Sequence, residues 1–282
     1  MKQSDIRYEV PPQPRQLRLD TTTKCNAQCV SCHRFLSDRK GEMPRELLVD
    51  ILDDVSRWGE PLQEIIPVNY GEFFANKDWY WILQMISPKL PHTQIVIPTN
   101  GALLTPEMVT KLCEIPSIKI VNFSLNAYFD ETYEAFNKLP ASNIPKIRNY
   151  AMLLRALRPD ITIWASMVFD PEYQTDLERD KFKEYWSPFA APQILPAASA
   201  GRGKPILTPV IAPCRSIFSD FVVGYDGKLS SCCFDSRFSL DIGEYSGDLK
   251  SDWHNSKLEE FRKLHNEHKR AEIGLCKSCT FA

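Results

Sequence analysis

From residue 16 to about residue 200 the chain alternates short β-rich runs with stretches whose apolar residues recur at helical spacing. The runs are QLRLDT, EIIPVNY, QIVIPT, IKIVNFS, ITIWASMV and a sixth around PQILPA. Between the first two, Leu47, Leu48, Ile51, Leu52, Val55 and Trp58 recur at helical spacing behind Pro44, a residue suited to a helix's first turn. Similar patterns predict helices over 76–87, 105–114, 143–157 and 174–186. Six strands alternating with helices predict repeated βα units, and so an α/β fold with a parallel sheet.

The pattern then changes. The stretch SPFAAPQILPAASAGRGKPILTPVIAP is rich in Pro, Ala and Gly, which predicts a domain boundary near residue 205. Beyond it, FVVGY, the turn dipeptide Asp226-Gly227 and KLSSCC read as a β-hairpin. A helix is expected from about His254 to His268, with Leu258, Phe261 and Leu264 on one face. The predicted division is an N-terminal extension over 1–15, a main domain over 16–205 and a small C-terminal domain over 206–282.

Composition narrows the class. Hydrophobic content of 43%, charged content of 25% and a net charge of -2 suit a globular chain and give no field that would attract nucleic acid. The first residues, MKQSDIRYEV, lack a secretory apolar stretch, and nowhere do enough apolar residues run together to span a membrane. The expectation is a cytoplasmic protein without nucleic-acid or membrane partners. Nine cysteines then need an account other than disulfides, because cytosolic thiols are kept reduced. They cluster: Cys25, Cys29 and Cys32 share one segment, and Cys214, Cys232, Cys233, Cys276 and Cys279 fall in the last quarter. Clustered soft thiolates point to metal.

CNAQCVSC follows the first predicted strand directly, and parallel α/β sheets carry their chemistry at the carboxyl ends of strands. A four-iron cubane normally takes four cysteines. Three leave one iron open, by the logic that leaves a position free at catalytic zinc; a zinc knuckle is the alternative. The C-x3-C-x2-C spacing after a first strand resembles the radical S-adenosylmethionine (radical SAM) superfamily, and four further segments match. The resemblance implies a partial (β/α)6 TIM-like barrel. It also implies a 4Fe-4S cluster on Cys25, Cys29 and Cys32 whose open iron chelates S-adenosyl-L-methionine. Reductive cleavage of that cofactor then yields a 5'-deoxyadenosyl radical that abstracts a substrate hydrogen atom.

By the same resemblance, Tyr70-Gly71-Glu72 matches the family's Gly-Gly-Glu-Pro segment, which holds the methionyl amino group; Tyr70 and Phe73 depart from that pattern. Asn100, in Thr99-Asn100-Gly101, ends the third strand as is common in the family. Ser124 and Asn126 are expected on one side of the fourth strand, facing the cofactor ribose, with Ser166 on the fifth strand a similar candidate. Val30 stands where the family commonly has an aromatic residue.

Cys214 and Cys232 flank the hairpin, and Cys276-Lys277-Ser278-Cys279 follows the last helix. Four thiols complete a cubane, and two separated pairs also suit a zinc ribbon. Together with GDLKSDWHNSKLEEFRKLH the arrangement resembles the SPASM appendage in its single-cluster form, twitch, which implies an auxiliary 4Fe-4S cluster on Cys214, Cys232, Cys276 and Cys279. Three residues follow Cys279, so one auxiliary cluster is expected.

Other residues have plainer readings. Cys113 is expected in the core. Cys233, as the strand neighbour of Cys232, is expected to face away from it; it is the one catalytic candidate, as a hydrogen-atom donor, against simple packing. Arg202 reads as a solvated interdomain arginine. His33, His254, His265 and His268 form no ligand pattern, and Trp79 to Trp81 reads as packing.

The function implied is dehydrogenation of a small alcohol or sugar-like substrate, as in the family's single-auxiliary-cluster aminocyclitol dehydrogenases, with a flavodoxin or ferredoxin as electron donor. Modification of a peptide or protein side chain is the alternative, against which no N-terminal domain for leader recognition is seen. A zinc-stabilised, non-enzymatic binding protein is the reading from another class.

Overall fold

The computed structural model describes residues 5–197 and 210–281. Arg202 and the boundary expected near residue 205 lie outside the described residues. Six parallel strands form one open sheet: β1 (Gln16–Leu19), β2 (Glu64–Ile66), β3 (Gln94–Thr99), β4 (Ile118–Ser124), β5 (Thr162–Phe169) and β6 (Ala191–Pro196). The helices between them are α1 (Arg45–Ser56), α2 (Trp79–Lys89), α3 (Pro106–Cys113), α4 (Asp130–Asn137), α5 (Asn143–Leu157) and α6 (Asp176–Trp186). The predicted α/β order therefore stands, as an unclosed sheet whose six parallel strands are joined by helices.

Alternation along the strands sets the layers. Leu17 and Leu19 are fully buried while Gln16 and Arg18 between them are half-buried, so period-2 geometry turns β1's apolar face to one side and its polar face to the other. The apolar face joins Ile51 and Leu52 of α1, Leu83 of α2 and Leu154 of α5 in one core. Burial of such side chains contributes about 1.5–3 kcal/mol each. Pro106 sits in the first turn of α3 and Thr105 caps it by accepting from the Met108 N–H, as Thr175 does for α6 from Glu178.

Two elements differ from expectation. Helix α2 starts at Trp79 rather than residue 76, because Phe73–Ala75 form a separate 3-10 turn capped by Glu72. Helix α4 was not foreseen: it is eight residues long and buries only Tyr133, Phe136 and Asn137, too little for a clear period. Asp130 and Glu131 in its first turn complement the helix dipole.

The C-terminal hairpin is β7 (Asp220–Val223) and β8 (Leu229–Ser230), with Gly227 at φ +84 in the turn. Its β7 strand pairs in parallel with β1, Gln16 opposite Asp220 through Leu19 opposite Val223. The sheet order is thus β6-β5-β4-β3-β2-β1-β7-β8, and the hairpin continues the main sheet. The expected last helix is α8 (Ser256–Asn266), capped by Asn255, which accepts from the Leu258 N–H, and a short unforeseen α7 (Leu249–Trp253) precedes it. A single turn, α9 (Gly274–Lys277), carries Cys276. Trp253 is fully buried, stacks edge-on to Phe221 and donates its indole N–H to the Pro11 carbonyl, tying the N-terminal segment, hairpin and helices together. Among the described residues no helix is long and apolar enough to cross a membrane.

Candidate functional site

Cys25, Cys29 and Cys32 lie in the loop that leaves the carboxyl end of β1. Three neighbouring connections clasp this loop. The Glu72 N–H donates to the Lys24 carbonyl at 2.8 Å, Asn100 Nδ2 donates to Asn26 Oδ1 at 2.8 Å, and the Gln28 and Val30 amides donate to the carbonyls of Asn137 and Phe136 at the end of α4. Gly71 permits the first contact: a Cβ there would stand 2.2 Å from the Thr22 carbonyl oxygen.

Glu72 is the centre of the clasp. Its Oε1 accepts from Thr99 Oγ1 at 2.7 Å and from Phe74 N–H at 3.3 Å, and its Oε2 accepts from Asn100 N–H at 2.7 Å. Burial raises the pKa of this carboxyl, and those three hydrogen bonds oppose the rise. A carboxylate takes about four hydrogen bonds, so capacity for a cationic ligand remains. Asn100 Nδ2 also stands 4.0 Å from Cys25 Sγ. The structure thus brings Gly71, Glu72 and Asn100 to the thiol loop.

The ribose-side candidates are arranged otherwise. β4 ends at Ser124, and Asn126 lies beyond it at φ +61, so the two do not alternate in a strand as expected. The Asn126 amide is committed locally: Nδ2 donates to Asn137 Oδ1 and Oδ1 accepts from Val168 N–H. Its partner Asn137, unnoticed in the sequence, carries the contact on to the thiol loop. Ser166 Oγ donates to Asn122 Oδ1 across β4 and β5, and Ser124 is half-buried at the end of its strand.

The five C-terminal thiols converge. Cys214, Cys232, Cys233, Cys276 and Cys279 line one cavity with His265, Ser231 and Arg270. The expectation that strand alternation turns Cys233 away fails, because β8 ends at Ser230 and Cys233 occupies the following turn. Cys113 is half-buried against the core rather than within it. Burial raises the pKa values of Cys25, Cys29, Cys214, Cys232 and Cys276, with Cys29 and Cys276 each reaching about 12, so ionising these sulfurs calls for positive charge such as bound metal supplies. Among the described residues no three His, Cys, Asp or Glu side chains close on a single-ion position.

Donors in the C-terminal cavity lack acceptors. Arg270 Nε and Ser231 Oγ are buried with no hydrogen-bond partner, and the Arg270 side chain is 1% exposed. A cluster's negatively charged sulfurs fit such donors. His265, also 1% exposed, places Nδ1 3.0 Å from the Cys214 N–H and Nε2 3.6 Å from Cys276 Sγ. Burial, then the Arg270 charge, lowers its pKa to about 4, so the ring is neutral near neutral pH. Neither residue was singled out from sequence. The available signal was the spacing Leu258, Arg262, His265, one face of α8 on which all three side chains are buried.

Tyr70 ties the Glu72 segment to the second thiol site. It departs from the family's glycine at this position, is buried, accepts nothing from the cluster loop, and donates its hydroxyl to the Cys233 carbonyl. Its own N–H donates to Asp20 Oδ1 at 3.3 Å. Burial raises Asp20 to about 7, the Tyr70 N–H and Arg39 acting against it.

Comparison with known proteins follows the same division. The model of the radical SAM superfamily matches residues 19–178, more than half of the chain, and that of an iron-sulfur cluster-binding domain, SPASM, matches 214–280. An AdoMet-dependent heme synthase of Methanosarcina barkeri is 28% identical over 131 residues, 46% of this chain and 36% of its own length; the match thus spans about a third of that curated relative. Among solved structures, BtrN in complex with AdoMet and 2-DOIA has a TM-score of 0.68 at 19% identity, covering 98% of this chain and 94% of that one. The AdoMet-bound anSMEcpe has a TM-score of 0.72 at 16% identity, covering 95% and 89%; it has also been solved with a bound Cp18Cys peptide. These structural likenesses speak for the fold.

Proposed function

The chain is an enzyme of the radical SAM superfamily, and from that premise we propose that it oxidises a carbon of a small alcohol or sugar-like substrate, using one 4Fe-4S cluster on Cys25, Cys29 and Cys32 and a second on Cys214, Cys232, Cys276 and Cys279. The superfamily match leaves no room for the non-enzymatic scaffold alternative. Bound in these sites, the first cluster and S-adenosyl-L-methionine supply hydrogen-atom abstraction, and the second cluster supplies an electron sink.

The chain's own residues would then divide the work. Glu72 accepts from the cofactor's amino group, held in place by Thr99 and Asn100. Gly71 lets the Glu72 segment lie against the cluster loop. Ser124 offers a hydroxyl at the sheet's carboxyl edge, while Asn126 and Ser166 act indirectly by holding the β4 and β5 ends together. Asn137 steadies the loop from the far side. A flavodoxin or ferredoxin is the proposed electron source.

The observation that carries the oxidative reading is the Tyr70 bridge, which leaves one buried side chain between the Glu72 segment and the Cys232-Cys233 turn. An electron acceptor so near the cofactor site suits a reaction that must remove a second electron from substrate. The test is anaerobic incubation of reduced, cluster-loaded enzyme with S-adenosyl-L-methionine and a panel of small polyols, aminocyclitols and peptides. Loss of two hydrogens from a small alcohol, by mass spectrometry, is the expected result. A mass change confined to peptides would replace it with the second reading, side-chain modification, which the peptide-bound neighbour supports.

A further inference from the structure

His265 touches two of the four C-terminal thiol residues, and its contacts fix where its proton lies. A backbone N–H only donates, so the Cys214 amide, 3.0 Å away, must find a lone pair on Nδ1. A neutral imidazole carries one N–H, which then sits on Nε2. That nitrogen stands 3.6 Å from Cys276 Sγ, within reach of an N–H donation to sulfur. One buried ring therefore receives from the backbone of one thiol residue and gives to the sulfur of another, 62 residues later in the chain.

We propose that His265 is a positioning residue for the C-terminal cluster, donating its Nε2–H to the Cys276 sulfur and so raising that cluster's reduction potential above that of the N-terminal one. Hydrogen bonds to ligand sulfur withdraw negative charge, and a reduced cluster is the more negative form, so donation favours reduction. Arg270 acts in the same sense, as a buried guanidinium lining the same cavity.

The N-terminal site shares most of these features. Backbone amides meet sulfur in both places, Ala27 N–H at Cys25 and the Phe234 and Phe281 N–H groups at Cys232 and Cys279, each at 3.4 Å. Charges of both signs also stand by both, Glu72 and Arg34 near Cys25 and Arg270 and Asp235 near Cys276; what sets Cys276 apart is the His265 ring, with Nε2 3.6 Å from its sulfur. The His265 donation is thus the feature that makes the C-terminal cluster the easier of the two to reduce, as suits an acceptor.

The inference rests on the proposal that these thiols hold a cluster, and its test separates the two. Full-length wild type, His265→Leu and His265→Gln are loaded anaerobically with iron and sulfide, and both clusters are titrated by EPR-monitored redox potentiometry. The expected result is a more negative midpoint for the C-terminal cluster in His265→Leu, a smaller shift in His265→Gln, whose amide keeps a donor, and an unmoved N-terminal midpoint. Unchanged C-terminal midpoints in loaded variants would overturn the inference, as would equal shifts at both clusters. If neither variant takes up the second cluster while the first loads normally, His265 is scaffold alone and the tuning role is lost. A wild type that takes up only one cluster would instead defeat the two-cluster proposal itself.

Discussion

Cys25 sits near the buried Glu72 carboxyl and the Arg34 guanidinium, whereas Cys276 sits near the buried Arg270 guanidinium, Asp235 and the His265 ring. The first thiol site is one loop, three sulfurs within eight residues, clasped from outside by the ends of neighbouring strands and of α4. The second gathers sulfurs from a hairpin, a helix-flanking turn and the chain's last turn around donors that have no other acceptor. Both thiol sites thus have charges of both signs nearby, and they differ in how the chain assembles them. A thiol site drawn from one loop is held by its backbone clasp, whereas one drawn from distant segments depends on how those segments pack.

The sharpest break of this comparison is by ligand removal. Cys29→Ala should reduce 5'-deoxyadenosine formation to background, while Cys276→Ala keeps cofactor cleavage and loses product, both read by chromatography and mass spectrometry. Equal loss of cleavage in the two, with fold intact, would abolish the division of roles. The clasp is tested next by Gly71→Ala, which must move the Thr22 carbonyl. A cost of about 1–3 kcal/mol is expected in denaturant unfolding, as for overpacking generally.

Glu72→Gln sets an amide N–H₂ where donors now converge, with a loss of about 1–3 kcal/mol in stability. It should also weaken S-adenosyl-L-methionine binding by about tenfold, equivalent to about 1.4 kcal/mol, in equilibrium titration. Unaltered affinity would remove Glu72 from the cofactor site.

Asp20 gives a pH-dependent test at the boundary between the sites. Its folded pKa, about 7, is raised above the ordinary 3.8 mainly by burial. The native state therefore holds the proton more tightly than the unfolded chain does, and this contribution is fully present below about pH 4 and is lost as pH rises through 7. Asp20→Asn keeps an acceptor for the Tyr70 N–H without the charge. It should raise the melting temperature at about pH 8, by a gain above about 1 kcal/mol, with little change near pH 4; an equal effect at both would refute the buried-charge account. Smallest is Tyr70→Phe, which loses one hydrogen bond to the Cys233 carbonyl, worth about 1 kcal/mol. It sharpens the comparison if product falls while cofactor cleavage persists.

Much of this was legible from residue order. The strand runs, α1, α3 and α5 follow from apolar period, and the thiol trio from its spacing after β1. Helix α4 was hidden by its shortness, and with it Asn137, whose carbonyl meets the thiol loop. Asn126 was misread because its left-handed backbone breaks the strand that alternation assumed. Cys233 was misread for a related reason, since β8 stops two residues before Cys232. His265 fitted no ligand pattern and Arg270 was not singled out, because polar side chains are mostly exposed and nothing local marks these two as buried.

The sequence by itself determined the α/β order, the βα repeat, the separation of thiols into two groups and the Gly71-Glu72 segment, because these are set by period and spacing within a few residues. Only the tertiary structure decided that β7 would extend the sheet beside β1, that Tyr70 would reach Cys233, and that His265 would lie between Cys214 and Cys276. Those contacts join segments far apart in the chain. Their geometry comes from how the whole core packs, which no local pattern encodes.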